Sequence, residues 1–216
     1  MVRIGRGVAA YWSMRPRPAL FLDRDGIINI DRHYASRARD VALIEATAAA
    51  MRLARRCSVP VVVVSNQSGV GRGRFTWSEL VAVDDEVGRL LAAAGAAADL
   101  TLYAGAAPDE LGDAMLYRKP NPGMFQLAAR LLPLDLPASL MVGDKPSDLL
   151  AARSAGVGWG ALVDPERGAE ALADISSSDS AGPAMELAHL ASVEATMAAV
   201  AARLERVTSE TSKGDE

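Results

Sequence analysis

The chain has 216 residues, half of them hydrophobic and only 5% aromatic, so Ala, Val and Leu must build its core. A net charge of −4 and a pI near 5.3 argue against nucleic-acid binding. A single cysteine, Cys57, excludes an internal disulfide and a cysteine-rich zinc site, and no apolar run reaches the ~18 residues of a membrane span.

In chain order, Met1–Arg17 carries four arginines and only a short apolar stretch, Val8–Trp12, too brief for a signal-peptide core. It reads as a loose arm (1–17), with residues 1–13 as a mis-assigned start, on a protein expected in the cytoplasm. Pro18–Leu22 is an apolar run that stops at Asp23-Arg24-Asp25-Gly26 and reads as a buried strand. Glu45–Arg56 reads as a helix ending at Cys57, a plain buried thiol. Val59–Val64 is apolar and β-branched, as a strand covered on both faces should be. After the Gly-rich loop Asn66–Arg74, Thr76 and Glu79 form a capping box, and Leu80, Val83, Val87, Leu90 and Leu91 follow at helical spacing to Gly95. Leu100–Tyr103 is a third strand. A helix starts at Pro122 and runs through Phe125, Ala128 and Leu132. Ser139–Val142 is a fourth strand, Ser147–Ala155 a helix closed by Gly156, and Trp159–Val163 a fifth strand. Residues 175–183 read as a loop, Ser192 as the cap of a last helix, and 208–216 as a disordered tail.

Strands alternating with helices predict a three-layer α/β fold around an open, mainly parallel sheet, in one domain spanning 18–207. Ligands of such sheets sit beyond the carboxyl ends of the strands. Asp23 and Asp25, Ser65 and Asn66, and Asp144 and Asp148 all follow strands directly and should meet at one edge. Carboxylates from two strand ends repel unless a cation lies between them, and a hard all-oxygen set suits Mg²⁺. Ser65 can donate to phosphate oxygens, and Lys119 can neutralise phosphate charge. Together these groups spell phosphoryl transfer: an aspartate nucleophile and a neighbouring carboxylate as acid and base.

The runs FLDRDG, VVVVSNQSGVGRGRFT, RKPNPGMF and MVGDKPSDLLAARSAGV stand in the order of the four haloacid dehalogenase motifs, a resemblance covering about residues 18–206. It implies Asp23 as nucleophile, Asp25 as general acid/base, and Ser65 and Lys119 as phosphate binders. It implies Mg²⁺ on Asp23, the Asp25 backbone carbonyl and Asp144, with Asp148 in support. Asp23 and Ser65 are only 42 positions apart, and Ser65 and Lys119 only 54, so no large cap domain fits. An open site of this kind permits a monomer.

Within the superfamily the chain resembles the branch of heptose bisphosphate 7-phosphatases and histidinol-phosphate phosphatases. That likeness implies a small sugar-phosphate substrate contacted by Asn29, Asp31, Tyr34, Ser65, Asn66, Gln67, Ser68, Arg118, Lys119 and Lys145. The Asn29/Asp31/Tyr34 pattern favours the heptose side; a histidinol phosphate or other small ester and a non-catalytic phosphate-binding relative are the alternatives. The branch carries a structural zinc held by three cysteines and a histidine. Here those positions are Ala104, Ala106, Met115 and Tyr117, so no zinc is expected, and Leu111, Met115 and Leu116 are expected to pack the 104–117 loop instead.

Overall fold

The computed structural model describes residues 1–5, 15–30, 40–164, 166, 168–177 and 184–211. The sheet has seven strands: β1 (Val2–Ile4), β2 (Leu20–Leu22), β3 (Val61–Asn66), β4 (Leu100–Ala104), β5 (Leu140–Gly143), β6 (Trp159–Val163) and β7 (Glu186–Leu190), in the order β1-β4-β3-β2-β5-β6-β7. All neighbours run parallel except β1, which is antiparallel to β4. The strand residues of β2, β4, β5 and β6 are buried throughout, as strands covered by helices on both faces require.

The helices are α1 (Glu45–Arg56), the short α2 (Ser68–Gly71), α3 (Trp77–Ala93), α4 (Gly123–Leu131), α5 (Pro146–Ala155), α6 (Gly168–Ser177) and α7 (Val193–Thr211). One layer packs Met51, Val87, Met197, Val200 and Leu204 on one sheet face. The other packs Met124, Phe125, Ala128, Ala151 and Ala152 on the opposite face. Phe21, at the centre of β2, is fully buried with its ring 4.8 Å from that of Phe125. The expected capping box opens α3: the Glu79 amide donates to Thr76 Oγ1, and the Thr76 amide donates to Glu79 Oε2 at 2.7 Å.

Five local expectations differ from the structure. Residues 2–4, read as part of a loose arm, pair with β4, and the Met1 ammonium donates to the Tyr103 carbonyl at 2.9 Å. Strand β7 had no strand signal; its residues are only half-buried, because it closes the sheet edge. Residues 175–177, read as loop, belong to α6, where Ile175 packs on Leu149 and Leu162. The last helix runs on to Thr211, past the start of the expected tail. Cys57 caps α1 and is half-buried rather than buried. Helices fill the spaces after β3 and β4, and no inserted cap domain is present among the described residues. No described helix is long and apolar enough to cross a membrane.

Because Phe21 is fully buried between the sheet and the layer of Met124, Phe125 and Ala128, Phe21→Ala should cost about 3–5 kcal/mol of unfolding free energy in urea denaturation. A loss below about 1 kcal/mol would mean that the site collapses around the gap.

Candidate active site

The strand order explains why three distant segments converge. β2 lies between β3 and β5, so the chain leaves for opposite sides at β2, the switch point where open parallel sheets bind ligands. Asp23 follows β2, Ser65 and Asn66 end β3, and Asp144 follows β5. Asp23, Asp144 and Asp148 bring one carboxylate oxygen each within 4.8 Å of one another.

Two glycines let these acids approach the backbone. Gly26 has φ +81°, and a Cβ there would lie 2.8 Å from Asp144 Oδ2. A Cβ on Gly143 would meet Asp148 Oδ2 at 2.3 Å. Both positions therefore need glycine for the carboxylates to sit where they do.

Lys119 is buried among these acids. Its Nζ donates to Asp23 Oδ1 at 2.9 Å and to the Val64 carbonyl at 2.7 Å, and pairs with Asp148 Oδ1 at 2.6 Å. Burial alone would drive off its proton; the charges of Asp148 and Asp23 outweigh that and hold the ammonium above the ordinary lysine range. Asn66 clasps the lysine's backbone from both sides: its Nδ2 donates to the Lys119 carbonyl at 2.9 Å, and its Oδ1 accepts from the Lys119 amide at 3.0 Å. Asp148 Oδ2 accepts from the Lys145 amide at the start of α5.

Asp25 is held by three side chains. Arg24 donates from Nε to Oδ1 at 3.0 Å and from Nη2 to Oδ2 at 2.8 Å. Asn29 donates to Oδ1 at 3.0 Å and Gln67 to Oδ2 at 2.8 Å. Burial pushes the Asp25 carboxyl up, but the Arg24 charge and these bonds bring it below the ordinary carboxylate value. Gln67 also donates to Ser65 Oγ at 3.1 Å, tying the end of β3 to the turn after β2.

In front of this set lies a pocket of about 620 Å³, lined by Asp25, Asn66, Gln67, Ser68, Arg118, Lys119 and Lys145 among the sequence candidates. Arg24, Phe75, Pro108 and Ser147 also line it and had not been singled out, and Met115, expected to pack the 104–117 loop, lines it too. Arg24 could have been suspected from its place between the two aspartates; Phe75, Pro108 and Ser147 carry no sequence signal for the site. Asn29 sits behind Asp25, and Ser65 is buried at the end of β3. Asp31 and Tyr34 lie outside the described residues. Arg118 donates to the Ala106 carbonyl at 2.9 Å, and burial together with the nearby Arg72 charge lowers its pKa. The rim is therefore cationic and suited to an anion.

The 104–117 loop is built differently from expectation. Leu111 is 93% exposed and Leu116 59% exposed, so neither packs the loop. Hydrogen bonds hold it instead: Ala107 donates to Glu110 Oε2, Asn121 to the Met115 carbonyl, and a short 3₁₀ turn spans Asp113–Tyr117. Ala104, Ala106 and Tyr117 line an apolar cavity of about 500 Å³ with Trp77 and Met124. These side chains offer no zinc ligand.

Residues 116–182 match the HAD-hydrolase-like family model. A D-glycero-beta-D-manno-heptose-1,7-bisphosphate 7-phosphatase of Mesorhizobium japonicum is 46% identical over 154 residues, covering 69% of this chain and 70% of that protein. The chain belongs to the haloacid dehalogenase-like phosphatases. The equivalent enzyme of Escherichia coli K12 is 38% identical over 68% of this chain and 78% of its own length. A solved D,D-heptose 1,7-bisphosphate phosphatase from B. bronchiseptica, with magnesium and phosphate bound, superposes with a TM-score of 0.69 at 29% identity, covering 85% of this chain and 97% of that one.

The donor set of this phosphatase fits a divalent cation: three clustered carboxylates, two of them drawn close by glycines. The Asp144 carboxyl is pushed up to about 7, first by burial and then by the Asp23 charge, against the pull of Lys145. Between the ordinary value of 3.8 and about 7, the folded metal-free protein holds a proton that the unfolded chain has released. Metal-free stability should therefore fall as pH rises through that window. A bound cation must displace this proton, so its stabilising effect should be small at about pH 5.5 and larger at about pH 8. Melting temperatures with chelator and with excess divalent cation at the two pH values check this; a gain independent of pH would take Asp144 out of the cation site.

Proposed function

We propose that this chain is a Mg²⁺-dependent phosphatase that removes the 7-phosphate of D-glycero-β-D-manno-heptose 1,7-bisphosphate through a phosphorylated Asp23, in the making of a heptose precursor for surface glycans such as lipopolysaccharide. The observation that carries the chemistry is the buried set Asp23–Lys119–Asp148 beside Asp144, joined through Lys119 to the pocket that Asp25 also lines. The names of the relatives supply the substrate. The cations lining the pocket, Arg118 and Lys145, with Arg72 near Arg118, support a substrate with a second phosphate.

Asp25 first takes up a proton from solvent; Asp23 then attacks phosphorus as the bond to the sugar oxygen breaks, and Asp25 gives that oxygen the proton. Asp25 then takes a proton from water, the water oxygen bonds to phosphorus, and the Asp23–phosphorus bond breaks to release phosphate. Lys119 holds Asp23 in place, and Ser65, Asn66 and Ser68 surround the phosphate position at the end of β3 and the start of α2. Mg²⁺ on Asp23, the Asp25 carbonyl and Asp144, supported by Asp148, would neutralise phosphate charge. Asn29, Gln67 and Lys145 complete the proposed substrate surroundings together with Asp31 and Tyr34. A monomer in the cytoplasm is part of the same reading.

Purified protein with Mg²⁺ should release phosphate from heptose 1,7-bisphosphate far faster than from histidinol phosphate. Turnover of histidinol phosphate or another small ester, with none of the heptose bisphosphate, would overturn the substrate and favour the second reading, which the replaced zinc ligands support. Asp23→Asn should abolish turnover while the far-ultraviolet circular dichroism stays that of the wild-type fold. Near-normal turnover in that variant would remove Asp23 as nucleophile, and no turnover of any ester by the wild type would make the chain a phosphate-binding relative.

A further inference from the structure

The torsion that orients an aspartate carboxylate is soft, with broad wells, so partners must fix its plane. For Asp25 the dominant partner is its own neighbour in the chain. Arg24 presents two nitrogens to the two carboxylate oxygens, the planar fork that guanidinium alone among side chains offers. Asn29 and Gln67 add one neutral bond each and cannot define the plane in this way.

Arg24 is itself pinned. Its guanidinium carbon lies 5.6 Å from the centroid of the Tyr103 ring, in cation–π range. The Tyr103 hydroxyl donates to Asp84 on α3, and Asp84 pairs with Arg3 of β1 at 2.6 Å. The turn after β2 closes over the arginine's backbone, whose carbonyl accepts from the Ile28 and Asn29 amides. The Arg24 side chain is only 4% exposed, and its Nη1 is buried with no hydrogen-bond partner among the described residues. Although the residue borders the pocket, its two bonded nitrogens are spent on Asp25, and it acts through what it holds.

We propose that Arg24 is a positioning residue for the acid–base step: anchored on Tyr103, it sets the plane of the Asp25 carboxylate against the leaving oxygen. The proposal rests on Asp25 as the acid–base residue. Proton delivery matters most when the leaving group is an alkoxide and least when it is a stabilised phenolate. A misaligned Asp25 therefore slows an alkyl phosphate more than an aryl phosphate, whereas general loosening of the fold slows both alike.

The experiment measures kcat/KM, with Mg²⁺, for a sugar phosphate and for p-nitrophenyl phosphate in the wild type, Arg24→Met, Arg24→Lys, Asp25→Asn and the Arg24→Met/Asp25→Asn double variant. Taking the ratio of the two substrates within one preparation cancels any misfolded fraction. Arg24→Met, which keeps length over Tyr103 without the fork, should lower the sugar-to-aryl ratio about tenfold or more, a share of the ~10²–10⁴-fold worth of acid–base catalysis. Arg24→Lys should fall between Arg24→Met and the wild type. In the Asp25→Asn background, Arg24→Met should change the ratio by less than about twofold, since coupled residues are not additive. An unchanged ratio in Arg24→Met, with a lowered one in Asp25→Asn, would overturn the positioning role. An unchanged ratio in Asp25→Asn would overturn the acid–base reading itself.

Discussion

The site hangs on one buried ammonium. Lys119 sits between Asp23 and Asp148 and donates to the Val64 carbonyl. Taking three charges out of water costs several kcal/mol for each, and only close, well-aligned partners return it. The neighbouring structure therefore has to hold all three closely. Asn66 clasps the lysine's backbone, the Lys145 amide holds Asp148, and Asp23 leaves a strand whose residues are all buried. A proton-bearing lysine at this point also gives the site a fixed positive charge next to Asp23, independent of any bound cation.

A second constraint is how closely charged side chains can approach the backbone. Gly26 and Gly143 stand where any side chain would strike Asp144 or Asp148. The acids are thus drawn into a cluster that repels itself, and the raised Asp144 pKa is the measure of that repulsion combined with burial. A site built this way is strained toward a cation, because a divalent ion removes the repulsion and the need for a bound proton together.

The loop before Lys119 keeps its course through hydrogen bonds. Ala104, Ala106 and Tyr117 line an apolar cavity, while backbone and side-chain hydrogen bonds hold the segment. Arg118 reaches from the loop's end back to the Ala106 carbonyl and so joins both ends of the segment beside the pocket. Leucines that hydropathy would bury stay exposed, since the loop lies at the surface and has no second layer above it.

Much of the fold was legible in the sequence because strands buried on both faces leave uniform apolar runs, as in Val61–Val64, and because Thr76 and Glu79 mark a helix start by local bonds alone. Strands β1 and β7 were not: three residues and five half-buried residues become strands only through β4 and β6, partners distant in the chain. The same division holds in the site. By itself the sequence determined which acids and which serine follow which strands, since Asp23, Ser65 and Asp144 lie at the ends of the strands they serve. Only the tertiary structure decided that β2 lies between β3 and β5, that Asn66 turns to the Lys119 backbone, and that Arg24 faces inward onto Asp25 and Tyr103. The physical reason is range: a strand end or a helix cap is set by neighbours in the chain, whereas a buried charge takes its role from partners that only folding brings to it.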